Sequence, residues 1–107
     1  MRGKTNHIDG DVLTHLARLR RRLSPEERAA YDERILAIRT VLELAEHRRK
    51  RRLSQKTIAE RMGVTQPVIA RLEKPFDAAW RQPSLSVLSR YAAALGLVLE
   101  VRLRRAA

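Results

Sequence analysis

Residues Leu53 to Glu73 read LSQKTIAERMGVTQPVIARLE, and the fold turns on how this stretch is punctuated. Ser54 is a favoured N-cap, so a short helix is expected to start beside it. Ile58, Ala59 and Met62 follow as one apolar face at helical spacing. Gly63 comes next, where a sharp helix exit calls for a residue that tolerates positive φ. Val64 is apolar and suited to plug the corner. Thr65 can cap a second helix, and Pro67 sits in its first turn, where a missing N–H costs little. Ile69 and Leu72 supply the buried face of that helix. Two short helices crossing steeply need a small residue at the crossing, a glycine in the turn and aliphatics converging from both sides. Ala59, Gly63, and Ile58, Val64, Ile69 and Leu72 meet each demand.

The flanking sequence is helical on both sides. Upstream, Val12, Leu16, Leu19 and Leu23 form one stripe of a helix over residues 9–23, with Arg18, Arg20, Arg21 and Arg22 around it. Ser24-Pro25-Glu26-Glu27 is a capping box with proline in the first turn. It opens a long helix expected to run to about Arg51, with Tyr31, Ile35, Ile38, Leu42 and Ala45 as its apolar stripe. That helix ends in the basic block Arg48-Arg49-Lys50-Arg51-Arg52, placed where the macrodipole favours cations. Downstream, Ser84 caps a last helix with the stripe Leu85, Leu88, Ala92 and Leu95, and Gly96 stops it. Leu97, Leu99, Val101 and Leu103 then alternate with Val98, Glu100 and Arg102, which is strand period. A single strand in a helical chain has no partner of its own, so pairing with a second copy is expected. Residues 1–8 show no period and are expected to be disordered.

The chain carries 23 Lys and Arg against 12 Asp and Glu, a net charge of +11 over 107 residues. That balance suits a polyanionic partner, because each neutralised phosphate releases condensed counterion. There is no cysteine, which removes disulfides and thiolate metal sites. No apolar run is long enough to span a bilayer and the first residues lack a signal-peptide core, so a cytoplasmic location is expected. His7, Asp9, Asp11 and His15 lie close in sequence, but spacing alone does not build a metal cage. No Ser/His/carboxylate constellation and no glycine-rich phosphate loop is evident, so neither catalysis nor a cofactor is expected. The basic block ends a helix whose apolar stripe belongs to a core, which argues against a membrane-surface helix.

Leu53-Ser54-Gln55, Ile58-Ala59, Gly63-Val64, Ile69 and Leu72-Glu73, with the later Pro83-Ser84-Leu85, Leu88 and Ala94-Leu95-Gly96, resemble the Cro/C1-type (Xre-type) helix-turn-helix regulators over about residues 43–95. The resemblance implies double-stranded DNA as partner, with the second motif helix entering the major groove. By the same resemblance Gln55 contacts phosphate, and Thr65, Gln66, Pro67 and Val68 form the leading turn of the recognition helix. Gln66 is the base reader, since a glutamine pairs bidentately with adenine, and Val68 is placed for a thymine methyl. Arg71 is placed for guanine or phosphate, unless it pairs with Glu73 or Asp77. Lys56, Arg61 and Lys74 are phosphate candidates. Thr57 stands where an acidic residue often completes the capping box, Pro67 is unusual at its position, and the loop from Pro75 to Gln82 is long. Phe76 and Trp80 in that loop are expected to pack on the core.

The expected fold is therefore all-α, a helix-turn-helix bundle of about five or six helices. Residues 9–31 form an N-terminal helical extension. Residues 32–107 form the DNA-binding domain with one C-terminal β-strand, and Leu97, Leu99, Val101 and Leu103 pair that strand across a homodimer facing a near-palindromic operator. The extension and the alternating tail are similar to HigA-type antitoxins, which implies repression of the chain's own operon and binding of an mRNA-interferase toxin. Asp11 to Leu23, or the first face of the long helix, is the implied toxin contact. Stand-alone regulators and phage repressors share the same architecture. A protein–protein module that has lost DNA contact is disfavoured by the basic surface.

Overall fold

The computed structural model describes residues 10–105, with the backbone alone for residues 10–13. The expected disorder of residues 1–8, the residues His7 and Asp9, and the side chains of Asp11 and Val12 lie outside the described residues. The order of elements is α1 (Gly10–Arg21), α2 (Pro25–Lys50), α3 (Gln55–Met62), α4 (Gln66–Leu72) and α5 (Leu85–Ala94). All regular structure among the described residues is helical. None of these helices is long and apolar enough to cross a membrane. The chain divides into two compact units between Ile35 and Leu36, inside α2.

In the first unit, α1 and the start of α2 meet at a polar corner. Ser24 Oγ accepts from the Glu27 N–H at 3.1 Å while the Glu27 carboxylate accepts from the Ser24 N–H at 2.8 Å, the reciprocal capping box. Arg28 donates to the Leu23 carbonyl at 3.0 Å and, at longer range, to those of Arg20 and Arg21. Arg20 and Arg21 are in the last turn of α1, where carbonyls lack a full helical partner, and Leu23 is in the turn that follows. Arg20 forks onto Asp32 through Nε at 2.7 Å and Nη2 at 2.6 Å. Leu16 and Leu19 stay exposed.

The second unit holds the apolar core. Val41 and Leu44 of α2, Ile58, Ala59 and Met62 of α3, Ile69 and Leu72 of α4, and Leu88, Tyr91, Ala92 and Leu95 at α5 are all buried together. Val41, Ile58, Ile69 and Tyr91 are the largest fully buried side chains. Each contributes about 1.5–3 kcal/mol by leaving water. α3 packs against both α4 and α5, and Ala59 is the small residue that this packing buries.

Two expectations about faces need correction. In α2 the buried stripe is Ala37, Val41, Leu44, Ala45 and Arg48, whereas Leu42 is exposed and Ile38 half-buried. Both stripes satisfy helical spacing, and the charge of Arg48 conceals the second one in the sequence. In α5 Leu85 is 62% exposed, at the first position after the Ser84 cap, and Tyr91 takes the core place.

Three helices end in the same hydrogen-bonded device. After α2, the Leu53 N–H reaches the Arg48 carbonyl and Arg52 N–H the Arg49 carbonyl. After α3, Val64 N–H reaches Ala59 and Gly63 N–H reaches Glu60. After α5, Leu97 N–H reaches Ala92 and Gly96 N–H reaches Ala93. This paired pattern is the Schellman motif, and its hinge residue must be left-handed. The hinges are Arg52 at φ 56°, Gly63 at 71° and Gly96 at 77°. A side chain in that region costs about 1–2 kcal/mol.

The tail differs from expectation. Residues 97–105 form no strand in the isolated chain. Leu97 and Leu99 pack on their own core. Val98, Val101 and Leu103 are 87%, 60% and 96% exposed. Strand structure needs a ladder partner, and among the described residues the tail finds none. Phe76, expected in the core, is 80% exposed, while Trp80 is buried and donates from Nε1 to the Leu72 carbonyl at 2.8 Å.

Adding a Cβ at Gly63 meets no atom within 4 Å. Gly63→Ala should therefore destabilise the fold by the backbone term alone, about 1–2 kcal/mol in urea unfolding, and Gly63→Asn by less. An alanine variant as stable as wild type would show that the turn relaxes without left-handed geometry.

Candidate nucleic-acid interface

The site is assembled around one carboxylate. Glu73 is the residue that ends α4, and its side chain is only 5% exposed. Arg48, from the last turn of α2, donates to it through Nε at 2.9 Å and Nη2 at 2.8 Å. The third arm of Arg48 donates through Nη1 to the Leu53 carbonyl at 2.9 Å, ahead of α3. The hydroxyl of Tyr91, from α5, also donates to Glu73. Gln55 Nε2, at the first position of α3, adds a further bond at 3.0 Å. One acidic group thus joins α2, α3, α4 and α5.

The electrostatics follow from this inventory. Burial pushes the Glu73 pKa upward, but hydrogen bonds from Arg48, Tyr91 and Gln55 and the charge of Arg48 outweigh it, and the net shift is downward. Burial first, then the bond to Glu73, raises Tyr91 far above the usual tyrosine range. The bond to Glu73 raises Arg48. The cluster is Glu⁻, Arg⁺ and neutral Tyr at any moderate pH.

The charge state of Glu73 then orients the amides beyond it. An ionised carboxylate only accepts, so Gln55 must present its NH₂. That leaves Gln55 Oε1 facing the other way, where it accepts from Gln66 Nε2 at 2.7 Å. Gln66, the first residue of α4, must therefore turn its own NH₂ toward Gln55. Its Oε1 and second N–H remain available on an exposed residue.

The other candidates sort cleanly. Thr65, Pro67, Val68 and Arg71 are exposed with Gln66 along the start and one side of α4. Thr65 has the extended backbone of a cap, but its side chain makes no capping bond. Pro67 removes one of the two N–H groups that such a side chain could bond. Arg71 pairs with neither Glu73, which belongs to Arg48, nor Asp77, whose carboxylate accepts from the Ala79 N–H. Lys56 and Lys74 are exposed. Arg61 points elsewhere, donating to the Ala94 carbonyl at 2.8 Å, while Arg90 donates to the Met62 carbonyl at 2.9 Å. Each of these arginines caps the end of the other's helix.

A cleft brings Val68 and Arg71 beside Arg81 and Gln82 of the following loop. Arg81 was not among the sequence candidates. Nor was the Arg48–Glu73–Tyr91 cluster. Its signal was present as a charged residue at each end of an apolar stripe, Leu44-Ala45-Arg48 and Ile69-Leu72-Glu73.

Among comparisons with known proteins, a family model described as helix-turn-helix matches residues 33–75, which supports a DNA-binding transcription regulator. The matched span holds Arg48, Gln55, Gln66 and Glu73. No curated protein and no solved structure matches the chain.

Glu73→Gln should cost about 3–5 kcal/mol, because it strands the Arg48 charge in the core. A cost below about 1 kcal/mol would mean that water replaces the pair. The pH dependence has two limbs. The lowered Glu73 pKa gives stability that is held above the ordinary glutamate value of about 4.3 and lost as pH falls below it. The raised Tyr91 pKa gives stability held below about 10 and lost as pH rises above it. Tyr91→Phe should weaken the fold by about 1.5–3 kcal/mol, flatten the alkaline limb and shrink the acid one, because Glu73 loses one of the bonds that hold its pKa down. An unchanged alkaline limb would assign it to another group.

Proposed function

We propose that the chain is a sequence-specific double-stranded DNA-binding transcription regulator, with α4 lying in the major groove. The observation that carries this is Gln66, exposed at the start of α4 and aimed outward through Gln55 by the buried Glu73. Its free carbonyl and N–H match the N6–H and N7 edge of adenine. Val68 lies where a thymine methyl would meet it, and Arg71 reaches guanine or phosphate. Gln55, Lys56 and Lys74 set the register on the backbone, and Thr65 and Pro67 belong to the leading turn that enters the groove. The net charge of +11 supplies the sequence-independent attraction. The protein acts in the cytoplasm, where its DNA is.

The active form is a homodimer on a near-palindromic operator. Support comes from the exposed Val98, Val101 and Leu103 and from a groove in which Leu36, Leu44, Leu97, Val98 and Leu99 are mixed with polar residues such as Arg39 and Glu43. A second copy of the tail covers both and gives the strand its missing ladder. The finer reading is an antitoxin that neutralises an mRNA-interferase toxin and represses its own operon. It rests on the resemblance to HigA-type antitoxins and on the exposed Leu16 and Leu19 of α1, which offer a toxin an apolar face. Without a toxin, the same chain is a stand-alone Xre-type or phage-type repressor.

In fluorescence anisotropy, Gln66→Ala should lose about 1–3 kcal/mol of discrimination between the gene's own upstream duplex and a scrambled one, per half-site. Equal weakening on both duplexes would make Gln66 a backbone contact. Val101→Pro should sediment as a monomer, and a persisting dimer would place the interface elsewhere.

A further inference from the structure

We propose that Arg52 is a DNA-phosphate-binding residue, kept in a strained backbone position for that contact. The inference rests on the DNA-binding reading above and adds a residue to it.

Three helix ends in this chain use the same hydrogen-bonded exit, and two of them place glycine at the left-handed hinge. The third places Arg52 there, the one non-glycine residue with positive φ among the described residues. Glycine would fit this hinge better, as Gly63 and Gly96 show in the same motif. An arginine that persists against that preference needs a reason outside the backbone, because strained positions concentrate where function fixes them.

The fold offers no such reason. Arg52 is exposed, and its side chain has no hydrogen-bond or ion-pair partner among the described residues. Three of its four neighbours in the basic block are occupied, and Arg49, exposed like Arg52, lies within the regular helix and carries no backbone strain. Arg48 is buried on Glu73 and Leu53, Lys50 sits 3.5 Å from Glu46, and Arg51 bonds His47 at Nδ1 and at its carbonyl. The α2 macrodipole does not explain Arg52 either, since four cationic residues from Arg48 to Arg51 already stand at that end.

Position supplies the reason. Arg52 lies three residues before Gln55, a span of at most about 11 Å of chain. Gln55 is in turn bonded to Gln66, so Arg52 borders the surface that meets DNA. A guanidinium there binds phosphate as a fork, with charge-assisted bonds that glycine cannot make.

The test is a pair of measurements on Arg52→Gly in the full chain, with Arg52→Lys as control. Strain relief should raise the melting temperature of Arg52→Gly by about 4–8 °C. Binding to a scrambled duplex should weaken several-fold, with the slope of log affinity against log salt reduced by about 0.9 per bound chain. Arg52→Lys should keep the slope and show no such rise in melting temperature. Stability gained with affinity and slope unchanged would overturn the proposal. So would a lower melting temperature, which would make Arg52 a structural residue. Failure of the wild-type chain to bind any duplex would instead overturn the DNA-binding reading, and Arg52's role with it.

Discussion

A carboxylate buried as deeply as that of Glu73 loses several kcal/mol of hydration and must recover it from fixed partners. Arg48 returns most of it as a forked, charge-assisted pair, and Tyr91 and Gln55 fill remaining lone pairs. Because those partners come from three other helices, satisfying one residue arranges the whole helix-turn-helix unit. Apolar residues alone would pack α3 against α4 with less demand on direction, since the hydrophobic term is non-directional. The pair adds little net stability over a hydrophobic substitute of equal volume. Its contribution is orientation.

Orientation propagates outward from there. Ionised Glu73 fixes the Gln55 amide, the Gln55 amide fixes that of Gln66, and Gln66 meets solvent with a defined donor and acceptor. The core thus determines the hydrogen-bonding pattern on the surface through two side chains. A free glutamine on a helix end would lose rotamer entropy on meeting a base. Gln66 has lost part of that entropy on folding. The reciprocal arginine caps, Arg61 on Ala94 and Arg90 on Met62, fasten α3 to α5 from the other side.

Much of this was legible in the sequence because it depends on short-range signals. Ser24, Ser54 and Ser84 cap helices, Gly63 and Gly96 turn left-handed, and Ile58, Ala59, Ile69 and Leu72 are core, as their spacing requires. What sequence spacing missed depends on distant partners. Arg48 looked like one more helix-end cation, and only Glu73, 25 positions away, makes it a core residue. The buried face of α2 is hidden from periodicity for the same reason. Phe76 and Leu85 are large and apolar yet exposed, which periodicity cannot foresee at the edge of an element. The alternation of residues 97–103 has strand period, but strand structure is a property of pairs. The inner half of that pattern, Leu97 and Leu99, found the chain's own core instead. Among the site residues, the grouping of Thr65, Gln66, Pro67, Val68 and Arg71 followed from the start of α4, whereas the link from Gln66 back to Glu73 did not.

On this reading the face bearing Gln55 and Gln66 meets DNA while the Glu73 cluster holds it in place. The most direct measurement is a ¹⁵N-resolved titration of the labelled chain with the duplex from its own upstream region, following both glutamine side-chain amides and the Trp80 indole. Large shifts are expected for the Gln55 and Gln66 amides and for the backbone of residues 65–71, with the Trp80 indole nearly still on its Leu72 carbonyl. Shifts confined to α1 or to residues 97–105, with both amides unmoved, would contradict it.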